Sequence, residues 1–197
     1  MICAGVDVGG RRKGFHAAAV KGDSLASGPE RLEDSNAVVR WLAEIEPKVI
    51  ALDSPMTCAP SGQRSRPGER ALAQRICGIR WTPEPSKLDG NPYYEWIVCG
   101  LELYTALERE GARRGWQVIE VFPTASWTVW AGPRSTRSRA RWTREALGRI
   151  RLAGLPPRRL SQDDRDAIAA ALTAQFHATG RTEQFGEIVV PVEPLTQ

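Results

Sequence analysis

The sequence predicts an α/β fold: a central mixed sheet of five strands, in the order 3-2-1-4-5, flanked by helices. Three observations predict it. Two apolar runs, Ile2 to Asp7 and Lys48 to Asp53, each end in a carboxylate. Between them lie two tight-turn signals and one segment of helical period, which read together as strand, strand, strand, helix, strand. A crossover of that length is a right-handed parallel connection, so the first strand lies beside the fourth, roughly 4.8 Å away.

Each element has its own warrant. Arg11-Arg12-Lys13-Gly14 reads as a turn, and Phe15 to Val20 as a second strand returning antiparallel. Lys21-Gly22-Asp23-Ser24 is the next hairpin turn, and Leu25 to Leu32 a weaker third strand interrupted by Gly28-Pro29. Asp34 or Ser35 caps a helix whose Val38, Val39, Leu42 and Ile45 recur at helical spacing until Pro47 stops it. Residues 54–94 carry six prolines and five arginines up to Pro92, with little periodicity beyond a short helical stretch at Glu69 to Ile76. A segment that long and irregular is expected to be a functional insertion or lid. A strong helix follows, with Ile97, Leu101, Tyr104 and Leu107 on one face and Gly111 near its end. Trp116 to Phe122 is the fifth strand, closed by Pro123. Residues 134–151 are basic and end in a helix. Ser161-Gln162-Asp163-Asp164 resembles a capping box opening a last helix to about Ala178, and Ile188-Val189-Val190 reads as a short edge strand.

Composition narrows the class. A chain of 197 residues at 42% hydrophobic content is expected to form one domain with a substantial core. Met1 leads directly into the first strand, no signal-peptide pattern is visible, and no apolar stretch approaches the ~20 residues of a membrane span. The expectation is a cytoplasmic protein with no membrane partner. Cys3, Cys58, Cys77 and Cys99 fall at no metal-ligand spacing and read as free thiols. No dinucleotide fingerprint, Walker loop or nucleophile-base pair involving His16 or His177 is visible.

The acids carry the chemistry. With the first strand between the second and the fourth, the carboxyl ends of strands one and four form a topological switch point, where open α/β sheets build their ligand crevice. Asp7 and Asp53 are delivered to it. A third acid is expected from the last helix, where Asp163 and Asp166 share a face with Ala167, Ala170 and Ala174, small residues that let the helix approach the sheet. Side-by-side carboxylates repel, and hard oxygen donors with open positions suit Mg²⁺ or Mn²⁺. The bland alternatives stay open: Asp53 is placed to start a turn, and Asp163 and Asp164 to stabilise a helix N-terminus. Glu120 shares a strand face with Val118 and Phe122, and is open to pairing with a loop arginine. The basic segment adds Arg137, Arg139, Arg141 and Arg144, with Trp127, Trp130 and Trp142 interleaved, a composition that suits a nucleic-acid backbone and unstacked bases but equally a solvated helix with core tryptophans. Arg70 and Arg75 of the insertion are further candidates to clamp an anionic strand.

Four motifs, in this order over most of the chain, carry a family resemblance. They are the Asp7 strand with its Gly9-Gly10 turn, the strand ending Leu52-Asp53-Ser54-Pro55, the Glu120-Val121-Phe122-Pro123 segment, and Asp163-Asp164-Arg165-Asp166-Ala167 opening an alanine-rich helix. Together they resemble the domain of unknown function 429 family, described as predicted nucleases with a ribonuclease H-like fold. The Asp-x-x-Asp-Ala pattern is also similar to the final helix of Holliday-junction resolvases, which share that fold. The resemblance implies that Asp7, Asp53 and Asp166 are the catalytic, metal-binding acids, with Asp163 or Glu120 as additional ligands. It further implies a two-metal, Mg²⁺- or Mn²⁺-dependent attack on a phosphodiester of DNA or RNA. A non-catalytic nucleic-acid-binding module on the same scaffold is the competing expectation.

Overall fold

The computed structural model describes residues 1–194. Its strands are β1 (Cys3–Val8), β2 (Phe15–Lys21), β3 (Ser24–Leu32), β4 (Val49–Asp53), β5 (Gln117–Val121), β6 (Thr182–Phe185) and β7 (Ile188–Pro191). The helices are α1 (Ser35–Ile45), α2 (Pro67–Arg75), α3 (Glu95–Arg114), α4 (Pro123–Ala131), α5 (Arg139–Arg149) and α6 (Gln162–Ala178). The sheet has seven strands, not five, in the order β3-β2-β1-β4-β5-β7-β6. The five expected strands keep their order. Ile188-Val189-Val190 is not an edge strand: β7 pairs parallel with β5 and is covered on its other side by β6, joined through a Gly186-Glu187 turn in which Gly186 has φ 61°.

Strand alternation decides what each face receives. Ala4, Val6 and Val8 of β1, with Ile50 and Leu52 of β4, pack beneath α1 and α3 together with Val38, Leu42, Leu103 and Leu107. Cys3 of β1, Val49 and Ala51 of β4, and Ile119 and Val121 of β5 face the other way, toward α4, α5 and α6. By the same parity Gly5, Asp7 and Asp53 belong to the α6 face. Glu120, in register with Leu52, belongs to the opposite one.

Helix α6 lies on β1, β2 and β4 because the sequence removes the side chains that would hold it off. A Cβ on Gly5 would collide with the backbone of Ala167, Ala170 and Ala171. Ser161 caps the helix by accepting the Asp164 N–H at 3.0 Å, and Asp164 returns the favour by accepting the Ser161 N–H at 2.8 Å. Between β4 and α3, residues 54–94 contain α2 and two short 3₁₀ turns, at Pro85–Lys87 and Pro92–Tyr94. Helix α3 runs past Gly111 and ends at Gly115, which adopts the left-handed conformation (φ 66°) of a helix C-terminus.

Candidate functional site

Parallel pairing sets Asp7 directly opposite Asp53 at the carboxyl edge of the sheet. Helix α6 brings Asp166 to the same place. All three line a cleft of about 1030 Å³, together with Asp163, Lys13 and Arg139. Asp7 and Asp166 are buried, and Asp53 and Asp163 partly so. One Asp7 oxygen, Oδ2, is enclosed without a hydrogen-bond partner among the described residues. Lys13 Nζ stands 3.8 Å from it, closer to Asp163 at 2.8 Å.

The electrostatics follow from this packing. Burial, then the charges of Asp166 and Asp163, overcome Lys13 and Arg139 and push the Asp7 carboxyl up to about 7. Burial, then Asp7 and Asp166, hold Asp53 well above the usual carboxylate range. Asp166 is also raised by burial, although several donors favour its charge. Arg139 donates to it at 3.0 Å, Gln162 Nε2 reaches both oxygens at 3.0 Å, and Trp127 Nε1 donates at 3.3 Å. Its neighbour Asp164 behaves oppositely. Burial acts to raise its carboxyl, yet hydrogen bonds from Arg158, the Ser161 N–H and His16 hold it far below the ordinary value.

The donor chemistry of Asp7, Asp53 and Asp166 is of the kind that suits a hard divalent cation, and the Asp7 oxygen has no hydrogen-bond partner among the described residues, only Lys13 at 3.8 Å. Among the described residues no three acids, histidines or cysteines stand, as placed, in an arrangement that could hold a metal ion. Lys13 and Arg139 instead supply the positive charge to this cluster.

Glu120 takes the other use open to it. Its carboxylate receives both terminal nitrogens of Arg66, one of them at 2.7 Å, and the Met56 N–H at 2.7 Å. Strand parity explains why it does not join Asp7 and Asp53. Arg66 also pairs with buried Glu69, which in turn accepts the Thr82 N–H and hydroxyl. The expected arginines divide likewise. Arg137 and Arg141 pair with Glu145, at 3.6 Å and 2.7 Å. Arg70 donates to Ser65, and Arg75 pairs with Glu183 at 3.2 Å. Arg144 is exposed, and of the basic segment only Arg134 and Arg139 line the cleft. Trp127 and Trp142 are core residues and Trp130 is half-buried, so this segment offers no open stacking surface.

Sequence reasoning missed Lys13 and Gln162, read Arg66 as one of several loop arginines that could clamp an anionic substrate rather than as the partner of Glu120, and read Trp127 as a stacking or core residue rather than as a donor to Asp166. Lys13 had a signal: it occupies the turn that follows the Asp7 strand, so its side chain begins at the same sheet edge. Trp127 had Pro123, read only as closing β5 although proline at a first helical position also opens a helix.

No protein-family model matches the chain, and no curated protein does. Among solved structures the chain is similar to Thermus thermophilus RuvC in complex with a Holliday junction substrate, at 16% identity over 93% of this chain and 98% of that one, with a TM-score of 0.54. It is also similar to a second Thermus thermophilus RuvC structure, at 19% identity over 91% of this chain and 97% of that one (TM-score 0.49). The yeast mitochondrial Holliday junction resolvase Ydc2 matches at 16% identity over 85% of this chain and 75% of that one (TM-score 0.46). The junction-bound RuvC carries the fold assignment: this chain has the α/β architecture of RuvC, a mixed sheet with flanking helices. Among the described residues no helix is long and apolar enough to cross a membrane.

Proposed function

We propose that the protein is a divalent-metal-dependent nuclease that hydrolyses phosphodiester bonds of DNA or RNA, with Asp7, Asp53 and Asp166 as the acids that hold the cation and Asp163 as an auxiliary one. One observation carries this reading. A buried carboxylate oxygen of Asp7 lacks any hydrogen-bond partner among the described residues while two further acids from separate elements converge beside it in an open cleft. Folding against that repulsion is costly, and a ligand that neutralises it is the simplest reason to keep it. Mg²⁺ or Mn²⁺, when bound, supplies an activated water and offsets charge at the scissile phosphodiester.

The chain's own residues do the positioning. Gln162 and Trp127 orient Asp166, and Asp163 holds Lys13 at the mouth of the cluster. Arg139 and Lys13 compensate the acids until a cation does so, and are then free to receive the anionic substrate. Arg134, on the cleft wall, extends that surface. The motif resemblance to the domain of unknown function 429 family and the RuvC architecture support the same class, since the RuvC neighbour was captured on a Holliday junction.

The pairing of Arg139 with Asp166 and of Lys13 with Asp163 also favours a second reading, a nucleic-acid-binding module whose acids are structural. Cleavage separates the two. Purified protein is incubated with labelled single-stranded, duplex and branched DNA and RNA in Mg²⁺, Mn²⁺ or chelator. The nuclease reading expects metal-dependent cleavage that is lost, by at least about a hundredfold, in Asp7→Asn and Asp166→Asn proteins that still fold. Binding that is equally tight in chelator, with no cleavage of any substrate, would establish the binding module instead.

A further inference from the structure

The insertion carries a second groove, of about 770 Å³, lined by Arg64, Arg80, Trp81, Lys87, Tyr93 and Trp96 among others. Ile79, Arg80 and Trp96 also line the acidic cleft, so the two depressions are contiguous. Only two aromatic side chains are exposed among the described residues, and both are here: Trp81 at 46% and Tyr93 at 60%. Hydrophobic burial would favour tucking such rings away, as it does Trp127 and Trp142. Instead Tyr93 stands edge-on to Tyr94, with centroids 4.9 Å apart, and the Arg80 guanidinium lies 6.0 Å from the Tyr93 ring centroid.

The charge around these rings is predominantly positive, three cations against one acid. Arg64, Arg80 and Lys87 have no carboxylate within ion-pair distance among the described residues. The acid lining the groove, Glu84, accepts the Gly62 N–H at 2.8 Å, a bond that keeps its carboxyl low and commits it to the loop. Open aromatic faces beside cations held in no ion pair match a strand whose bases are unstacked: the rings take bases of any identity, and the cations take the phosphates between them. A continuous duplex presents no free base faces to such a groove.

We infer that this groove is a stacking subsite for unpaired bases of the strand whose backbone enters the acidic cleft. The preferred substrate is then one with unstacked nucleotides next to the scissile bond. This deepens the nuclease reading and rests on it for the meaning of the cleft, but it can be tested without cleavage.

The test is fluorescence anisotropy in chelator, with the full chain and three labelled probes: a short oligothymidylate, the same backbone without bases, and a duplex. The expected result is that Trp81→Ala combined with Tyr93→Ala weakens oligothymidylate binding at least about tenfold and leaves the abasic strand unaffected. Arg64→Ala with Lys87→Ala should weaken both single strands and reduce the slope of log affinity against log salt by about 1.4, at roughly 0.7 per phosphate contact. All four side chains are exposed, so thermal melts of the variants should match the parent. Equal oligothymidylate affinity in the parent and the aromatic variant overturns the subsite. So does an equal loss on the abasic strand, or a parent that binds neither strand. Base-dependent binding by a protein that cleaves nothing in Mg²⁺ or Mn²⁺ would contradict the nuclease reading while sustaining the groove. Cleavage that the aromatic variant performs with unchanged affinity would do the reverse.

Discussion

Two groups of buried acids stand at the same edge of the sheet, on opposite faces, and the chain treats them differently. Glu69 and Glu120 are met by a buried arginine: Arg66 forks onto Glu120, reaches Glu69, and Met56 and Thr82 supply the remaining donors. Among the described residues Asp7 and Asp53 receive no buried cation. Lys13 and Arg139 approach them from the solvent side, and both carboxyls are pushed upward by burial and by the charge of neighbouring carboxylates, Asp166 acting on both. Both groups are carboxylates lining the same cleft, and what separates them is the supply of counter-charge. A closed network is structural, and a cluster left short of positive charge is one that a ligand can complete.

The largest expected effect breaks the closed group. Arg66→Met leaves Glu69 and Glu120 buried without their cation and should cost about 3–5 kcal/mol in chemical denaturation. A loss under about 1 kcal/mol would mean that the two acids do not depend on Arg66. The open group should respond with the opposite sign: Asp7→Asn or Asp53→Asn, in chelator at neutral pH, should melt at or above the parental temperature because repulsion is relieved. Between these lies Gly5→Ala, which lifts α6 from β1 and should cost roughly 1–3 kcal/mol while moving Asp166 away from Asp7.

Acidity sharpens the same contrast. The folded chain binds the Asp7 proton more tightly than an unfolded chain does, with a carboxyl near 7 against an ordinary value of 3.8. The contribution of Asp7 to stability in chelator is therefore greatest below the ordinary value and declines as pH rises toward about 7, by an amount on the order of a few kcal/mol. Asp7→Asn should flatten that decline. Asp164 has the opposite linkage. Its carboxyl is held below the ordinary range, so its contribution is present above that range and disappears only in stronger acid. A parental stability that rises between pH 4 and 7, and is unaffected by Asp7→Asn, would contradict the assignment of Asp7 to the open group.

Much of this contrast was legible in the sequence. An acid closing each of two apolar runs, with a crossover helix between them, is enough to set Asp7 beside Asp53. The alanine spacing after Asp166 is enough to bring α6 down onto the sheet. The side of the sheet that Glu120 faces was legible too, since it alternates with Ile119 and Val121, but its partner was not. Arg66 is one of five arginines in a stretch without periodicity, and only tertiary packing selects it. Of the outer hairpin β7 was read as a strand, but β6 was missed because its Thr182-Glu183-Gln184 is polar, as an edge strand should be, and its clearest mark is a glycine turn. Helix α4 was missed because its apolar residues fall at nearly every position, leaving no amphipathic stripe to read.

The smallest expected effect concerns the basic segment. Arg137 and Arg141 are tied to Glu145, whereas Arg139 faces the cleft. Arg139→Ala should lower the salt slope of nucleic-acid binding by about 0.7–0.9, one phosphate contact, and Arg141→Ala by less. Equal slopes for the two variants would place the strand along the outer face of α5.

Whether the open acid group holds a divalent cation is decided by Mn²⁺ titration at pH 7.5, followed by electron paramagnetic resonance and thermal melting on parent and Asp7→Asn protein. The parent should bind Mn²⁺ saturably and melt at a higher temperature as the ion is added, while Asp7→Asn, stable without metal, should gain neither signal nor stability. Identical titrations and identical melting shifts in the two proteins would contradict cation binding by that group.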